Sequence, residues 1–422
     1  MYWRNLHCIA SPAREVWSGV VGGDDGTRSL DGWSLVSGES PVGAGVGLDP
    51  ERQALARRRA REERRLMLVE LGAAAVLAVG FLVSGASAWL EAVLVGAGLR
   101  SPWALTAAYL ALALVGYTVL TLPLAWWGGY VEPHRYGLST QTPRSWLADQ
   151  LKSLVLSLAF GLAAGEVIYW LLRSFPSTWW VWASGFLLAA TVFLGFISPV
   201  LILPIFYKLT PLDDAGLVER IRGLAERTGR RVAGVYTINL SARTTAANAL
   251  FMGLGRTQRI ALGDTLYAEY SADEIETIVA HELGHQVHHD LYQGLALQAA
   301  LLVGSLYLAH LFLGWGVARF GFSGPGDVAA LPLLLIAAGL FSLVTMPLSN
   351  AYSRWRERLA DRFSIEATGK PAAFARAMAR LANQNLSEAN PPRWVVWLLY
   401  SHPPIGERIA LAQARGPCSM PN

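Results

Sequence analysis

Residues 71–90 read LGAAAVLAVGFLVSGASAWL and contain no charged side chain. A helix of about 20 apolar residues crosses the hydrocarbon core of a bilayer, which is about 30 Å thick. The segment therefore predicts a membrane-spanning helix. Its flanks contain Glu70 and Glu91 and extend the candidate span to 66–95.

The whole chain has the composition of a membrane protein. Of its 422 residues, 53% are hydrophobic and only 16% are charged, whereas soluble domains carry about 25% charged residues. This balance excludes a disordered chain and argues against a purely soluble enzyme. Five further segments have the length and apolarity of spans, which makes six predicted transmembrane helices: 103–127, 153–173, 179–203, 293–315 and 328–348.

Arginine distribution predicts the orientation. Positive charge favours the cytoplasmic side of a membrane, and six arginines lie between 57 and 65, just before the first span. The outside loops keep only Arg100, Arg173 and Arg319. We therefore predict a multi-pass cell-membrane protein in contact with the lipid bilayer, with the N-terminus and the polar segments 206–292 and 349–422 in the cytoplasm. The net charge is +4, but the basic residues are not interleaved with aromatic residues as in a nucleic-acid-binding surface. We therefore predict no nucleic-acid partner.

Composition divides the chain into five parts. Residues 1–65 form a polar, poorly ordered tail that ends in a basic helix, either a solvated helix or a cytoplasmic anchor. Residues 66–205 hold spans one to four, and 293–348 hold spans five and six. The remaining parts, 206–292 and 349–422, have ordinary soluble composition and contain the residues suited to chemistry.

The first polar segment combines strands and a capped helix. Residues 232–239, 246–254 and 259–262 are strand-like, and a turn at 255–257 predicts that the last two form a hairpin. The sequence SADE at 271–274 is a capping box that opens a helix.

That helix contains His281-Glu-Leu-Gly-His285. Residues four apart lie on one helical face, so both imidazoles can bind one Zn²⁺ ion. Glu282 lies beside the metal without binding it, where it can deprotonate a metal-activated water as general base. The alternative is two ordinary histidines on a solvated helix. His288 and His289 follow the motif, and we expect both to face solvent.

A second charged stretch, SNAYSRWRERLAD at 349–361, follows the sixth span. On a helix, Glu357 would suit a third zinc ligand, and Asp361 would accept a hydrogen bond from the free N–H of a ligating histidine. Two histidines and one glutamate with an open fourth position form a catalytic zinc set. The alternative is a charged face next to the membrane.

Six stretches together resemble the integral-membrane zinc metalloproteases that include the type I CAAX prenyl endopeptidases and the HtpX-like proteases, a gluzincin-like group. The resemblance covers about 66–415 and favours the CAAX branch. The matching stretches are YVEPHRYGLSTQT (130–142), FYKLTPL (206–212), NALFMGLGRTQRIALGDTL (248–266), HELGH (281–285), SRWRERLAD (353–361) and NPPRWVVWLLYSHPPIGERI (390–409).

The resemblance implies a fold and roles. The fold would be mainly α, with about six transmembrane helices and a cytoplasmic zincin-like α+β domain that carries a small edge-strand hairpin. One Zn²⁺ per chain would be held by His281, His285 and Glu357, with Glu282 as catalytic base. His402 would donate to the oxyanion, and Asn248 and Ala249 would begin the strand that pairs with extended substrate. A structural histidine and a strand-end asparagine are the alternatives.

These observations predict a zinc metalloendopeptidase acting on peptide or protein substrates that are prenylated or membrane-associated. Two alternatives stay open: an HtpX-like protease of membrane-protein quality control, and a non-proteolytic transporter or scaffold with a vestigial zinc site. For the transporter, Glu166 within a span would be the best evidence, because charged residues in spans often mark transport pathways.

Overall fold

The computed structural model describes residues 47–253 and 258–415. Most of the predicted N-terminal tail (1–46), the predicted turn at 255–257 and the C-terminal residues 416–422 lie outside the described residues.

Six of the described helical stretches are long and apolar enough to cross a membrane, which agrees with the predicted number. Helices α1 and α5 begin with a capping side chain followed by proline, which suits the first helical position because proline lacks an N–H. These caps are Asp49 before Pro50 and Thr142 before Pro143. The helices of this part are α1 (Pro50–Val83), α2 (Ala86–Gly96), α3 (Pro102–Trp126), α4 (Glu132–Arg135), α5 (Pro143–Ser174), α6 (Trp179–Ile197) and α7 (Leu203–Phe206).

The predicted first span, 66–95, was wrong in its boundaries. Helix α1 ends at Val83 and a separate apolar helix, α2, follows it. Gly85 separates them with φ 76, a left-handed conformation that glycine adopts without steric cost. At its other end, α1 begins at Pro50, so the basic stretch 51–65 and the apolar stretch form one continuous helix.

The outer surface of the spans is apolar. Val76, Val200 and Val344 are 71%, 75% and 79% exposed, respectively. Between the helices, Tyr109, Tyr169 and Trp179 are buried in a common cluster. Large apolar side chains that point outward from long helices require a hydrocarbon environment, so the bundle is that of a polytopic membrane protein.

The polar segments fold around a four-stranded sheet with the order β1-β2-β4-β3. Strand β1 (Leu209–Pro211) is antiparallel to β2 (Gly234–Ile238), and β2 is parallel to β4 (Arg259–Gly263). The terminal strand β3 (Ala249–Met252) pairs antiparallel with β4, as predicted for the hairpin. It is shorter than the predicted 246–254 and has β4 as its one strand neighbour in the described sheet.

Helices complete this unit around one hydrophobic core. Ile221, Ile260, Ile275 and Phe374 are all buried in that core. The helices are α8 (Ala215–Arg227), α9 (Asp264–Tyr267), α10 (Ala272–Val287), α11 (Asp290–Phe320), α12 (Leu331–Thr368), α13 (Pro371–Gln384), α14 (Arg393–Leu399) and α15 (Ile405–Gln413). Of these, α11 and α12 also contain the fifth and sixth apolar stretches.

Helices α10 and α12 cross at unusually short range. A Cβ atom built on Gly284 would lie 3.1 Å from the Cα of Ala360 and 3.1 Å from Cδ1 of Phe363. Ala360 is fully buried at this contact. Glycine in the HELGH sequence therefore lets α10 pack closely against the helix that carries Glu357.

We expect Gly284→Val to separate α10 from α12 and to destabilise the protein by about 1–3 kcal/mol, the usual cost of overpacking a tight contact. Thermal unfolding of the detergent-purified protein measures this as a lowered Tm. The matched control is Gly339→Ala on α12, where a Cβ meets nothing within 4 Å. An unchanged Tm for Gly284→Val would contradict the importance of this contact.

Candidate metal centre

The HELGH sequence lies on α10, which begins at the predicted capping box. The Ser271 N–H donates to Glu274 Oε2 at 2.8 Å, and the Glu274 N–H donates to Ser271 Oγ at 3.4 Å. This cap fixes the start of α10, so that His281 and His285 lie one turn apart near its buried end.

Three side chains converge at the crossing of α10 and α12. The Nε2 atoms of His281 and His285 are 3.3 Å apart, and they lie 3.2 Å and 3.4 Å from the two carboxylate oxygens of Glu357. All three residues are buried, and their potential ligand atoms lie within 4.8 Å of one another. The structure thus brings together the three residues predicted as metal ligands.

Each histidine is oriented by a second carboxylate. His281 Nδ1 lies 2.9 Å from Asp361 Oδ1, and His285 Nδ1 lies 2.7 Å from Asp290 Oδ2. Because a carboxylate accepts, each Nδ1 carries the proton and donates. The lone pair of each neutral ring is then on Nε2, which faces the centre of the cluster.

The donor set fits a divalent cation. Two Nε2 lone pairs and a carboxylate oxygen face one another, and the buried Glu357 Oε2 has no hydrogen-bond partner among the described residues. Burial disfavours a charged imidazole, but Asp361 and Glu357 outweigh it and raise the pKa of His281 to about 10. The site therefore favours positive charge between these side chains, supplied either by a proton or by a metal ion.

Two arginines support the carboxylates. Arg408 on α15 makes two hydrogen bonds to Asp361: Nε donates to Oδ2 at 2.9 Å, and Nη2 donates to Oδ1 at 2.6 Å. Arg356 on α12 donates from Nε to Asp290 Oδ1 at 2.9 Å. All four side chains are buried, so each carboxylate that orients a histidine is itself held by a charge-assisted pair.

Arg356 and Arg408 were not predicted as site residues, and for Asp290 the sequence leaves two roles open, support of the site or the end of the helix. Asp290 begins α11, beyond the end of α10, and Arg408 lies more than 40 residues after Asp361 in the chain. Arg356 and Arg408 do lie within the matched stretches at 353–361 and 390–409, but surface salt bridges would have the same local pattern. No spacing rule in the sequence connects these three positions, and they come together only in the folded chain.

The cluster opens into a cavity of about 140 Å³. Glu282 lines it, and burial raises the pKa of the Glu282 carboxyl, although His285 and His281 oppose the rise. Apolar side chains form another part of its wall: Leu266, Ile278, Met378 and Leu381. A carboxyl that binds a proton more readily than usual is suited to accept one from water.

His402 also lies at the cavity, in the turn between α14 and α15. Its Nε2 is 3.3 Å from Glu357 Oε1, and its Nδ1 is 2.9 Å from Ser401 Oγ. Burial lowers the pKa of His402, outweighing the opposing effect of Glu357. A neutral imidazole that keeps one N–H can serve as a hydrogen-bond donor to substrate.

Asn248 and Ala249 lie at the same cavity, at the start of β3. The Asn248 carbonyl accepts from the Gly263 N–H at 2.8 Å, which joins this end of β3 to β4. The Ala249 N–H donates to Asn248 Oδ1 at 2.9 Å. The structure therefore places the terminal strand of the described sheet beside the histidines and Glu282.

The two histidines after the motif differ. His289 is exposed as expected and adopts φ 58, outside α10, which ends at Val287. His288 is half-buried, with its ring centroid 5.8 Å from that of Phe363, so the expectation that it faces solvent was wrong. The crossing of α10 and α12 covers it.

Comparison with known families gives two matches that together cover nearly all of the described chain. Residues 211–415 match Peptidase family M48. Residues 44–208 match the family described as CAAX prenyl protease N-terminal, five membrane helices. In that region the structure has four long apolar helices and the short apolar helix α2.

Individual relatives agree with these matches. The chain is 36% identical over 300 residues to the uncharacterized metalloprotease YhfN of Bacillus subtilis, covering 70% of each chain. It is 32% identical over 314 residues to CAAX prenyl protease 1 of Saccharomyces cerevisiae, covering 69% of this chain and 68% of that one.

Among solved structures, the crystal structure of S. mikatae Ste24p matches with a TM-score of 0.76 at 25% identity, over 86% of this chain and 88% of that chain. The fold of this chain thus recurs over most of the length of that structure. The chain belongs to peptidase family M48 and is a membrane metallopeptidase of the CAAX prenyl protease type.

Proposed function

We propose that this protein is a zinc-dependent endopeptidase in which His281, His285 and Glu357 hold one Zn²⁺ ion and Glu282 is the general base. The observation that carries the proposal is the convergence of two Nε2 atoms and one carboxylate beside Glu282 in a single cavity. Two histidines and a glutamate are an open catalytic zinc set rather than a closed structural one. Zinc bound there supplies Lewis acidity that polarises a peptide carbonyl and acidifies water.

The protein's own residues then move the protons. Glu282 removes a proton from the attacking water, and its raised pKa favours this transfer near neutral pH. Glu282 afterwards delivers the proton to the leaving amine as the C–N bond breaks. His402, on the Glu357 side of the cavity, donates a hydrogen bond to the oxygen that becomes negative.

Substrate binds along β3 as an additional extended strand. Within the described sheet, strand β3 has one strand neighbour, and its start lines the cavity. Main-chain pairing provides affinity with little dependence on side-chain sequence. Asn248 and Ala249 are the residues that place the scissile peptide beside Glu282.

The substrates are membrane-associated proteins and peptides, including CAAX-type prenylated C-termini. The match of residues 44–208 to the CAAX prenyl protease N-terminal family supports this branch over the HtpX-like one. The arginines of α1 support a cytoplasmic location of the catalytic unit, because positive charge favours the cytoplasmic side of a membrane. Cleavage of matched farnesylated and unmodified peptides measures how far the lipid contributes.

We expect Glu282→Gln to lower kcat by at least about 100-fold, because general-base catalysis contributes about 10²–10⁴-fold. The amide is isosteric with the carboxyl and leaves the ligands intact, so metal content stays unchanged. Cleavage of a casein or prenyl-peptide reporter in detergent measures the loss. Glu269→Gln, an exposed change just before α10, is the control, and equal activity of Glu282→Gln and wild type would refute the mechanism.

We expect one zinc per chain in the purified protein, measured by elemental analysis. His281→Ala should reduce it to near zero, because two remaining ligands hold zinc weakly. His289→Ala, which removes an exposed histidine of the same segment, should retain full zinc. A wild-type zinc content near zero would instead support the non-proteolytic scaffold.

We expect Asp290→Asn to weaken zinc binding about 10- to 100-fold, because the partners that orient ligating histidines affect metal affinity to this extent. The variant replaces the carboxylate that accepts from His285 and also leaves Arg356 without its anionic partner. Competition with a fluorescent chelator measures the affinity. Asp213→Asn, an exposed change, should not alter it.

A further inference from the structure

We propose that Asn385 is a positioning residue for β3, the strand on which substrate binds. Its side chain occupies the first pairing position of that strand edge and so limits where substrate can pair. The inference rests on the proposed function, in which substrate pairs with β3. It concerns a residue that follows α13, 138 positions away from the strand segment it contacts.

The Asn385 side chain makes two hydrogen bonds to one residue, Ala247. The Ala247 N–H donates to Asn385 Oδ1 at 2.8 Å, and Asn385 Nδ2 donates to the Ala247 carbonyl at 3.0 Å. A residue of a neighbouring antiparallel strand would make the same pair of bonds. The side-chain amide therefore occupies the place of one strand residue at the sheet edge.

The pairing of β3 shows which edge is occupied. Successive residues of a strand direct their N–H and C=O groups to alternate sides. The Asn248 carbonyl accepts from Gly263, so the backbone of Asn248 faces β4. Ala247 and Ala249 consequently face the opposite edge, away from β4. Asn385 takes the position at Ala247, and Asn248 Oδ1 accepts from the Ala249 N–H, so pairing by substrate begins at the Ala249 carbonyl.

The turn that presents Asn385 is held by α1. Arg59 donates from Nη1 to the Asn385 carbonyl at 3.2 Å, and Arg52 donates from Nε to the Asn383 carbonyl at 3.0 Å. These arginines meet the C-terminal carbonyls of α13, where cations are favoured by the helix dipole. Leu386 follows with φ 49, a left-handed conformation, and is buried against Ala56 of α1.

A neighbouring residue strengthens the same attachment. Gln384 Nε2 donates to the Thr245 carbonyl at 3.0 Å, and Tyr270 donates its hydroxyl to Gln384 Oε1 at 2.9 Å. Asn383 contacts a different part of the chain: its Nδ2 donates to the Gly47 carbonyl, and its Oδ1 accepts from the Asp49 N–H. The side chains of Gln384 and Asn385 thus bind the segment that precedes β3, whereas the side chain of Asn383 binds residues at the start of α1.

Removal of the Asn385 amide has two consequences. The backbone groups of Ala247 lose their partner, so the start of β3 is held less firmly beside Glu282. The edge also gains one open pairing position. Because substrate pairs with the strand that this contact positions, we expect the loss of order to outweigh the added position, so that KM rises while kcat changes little.

The experiment compares Asn385→Ala with Asn383→Ala as the matched control. We expect Asn385→Ala to raise KM about tenfold, the effect of losing one or two hydrogen bonds, with zinc content unchanged. In Asn385→Asp the side chain keeps nearly the same volume and still fits the fold, but an oxygen replaces the nitrogen that donates to the Ala247 carbonyl. We therefore expect KM to rise in this variant too. Asn383→Ala should match wild type.

A second readout reports pairing directly. A reporter peptide is prepared with single N-methylated amides, each of which removes one donor to the edge. Methylation should slow cleavage by wild type at the positions that pair with β3, and Asn385→Ala should become sensitive at one additional position. A merely structural role for Asn385 would lower stability without extending this pattern.

The outcomes separate the two proposals. If Glu282→Gln retains wild-type cleavage, the proposed function fails. If wild type cleaves and Glu282→Gln does not, but Asn385→Ala and Asn385→Asp both keep the wild-type KM and methylation pattern, this inference alone is overturned.

Discussion

The close contact between α10 and α12 is the constraint on which the catalytic centre depends. Gly284 has no side chain to separate the helices from Ala360, and Ser364 Oγ donates to the Thr277 carbonyl at 2.6 Å across the same interface. Two histidines on one helix and a carboxylate on another can share an ion only if the helix axes are held at short distance. The glycine inside the motif is therefore as much a part of the centre as the histidines beside it.

Charge balance explains why the surrounding residues have the identities they do. Four carboxylates surround the two histidines, those of Glu282, Asp290, Glu357 and Asp361, and burial of unpaired charge is costly. Arg356 and Arg408 offset two of them through direct pairs with Asp290 and Asp361. The remaining negative charge faces the two Nε2 atoms. A bound cation would offset this buried negative charge and so stabilise the folded chain. Metal affinity therefore depends on the same contacts that stabilise the fold.

Sequence patterns predicted the parts of the molecule that depend on local rules. The six spans follow from runs of about 20 apolar residues, and the helix containing HELGH follows from its cap and spacing. Gly85 was not recognised as a break, because an isolated glycine inside an apolar run is common within membrane helices. Asp290, Arg408 and Asn385 depend on tertiary contacts between distant segments. Arg408 lies within a stretch that resembles the family, but the local sequence around these three residues does not show which partner each one contacts.

The continuity of α12 relates the catalytic centre to the bilayer. Its apolar stretch ends near Leu348, and the same helix continues without a break to Thr368. At 1.5 Å of rise per residue, Glu357 lies about 14 Å along the axis from Leu348. The polar headgroup layer is about 5–8 Å thick on each side of the hydrocarbon, which is less than this separation. If α12 crosses the bilayer as proposed, Glu357 lies outside the hydrocarbon core. A peptide anchored in the membrane by a lipid or an apolar helix reaches this depth with a few extended residues, because each spans about 3.3 Å. The continuity of this one helix therefore supports the proposal that the substrates are membrane-associated.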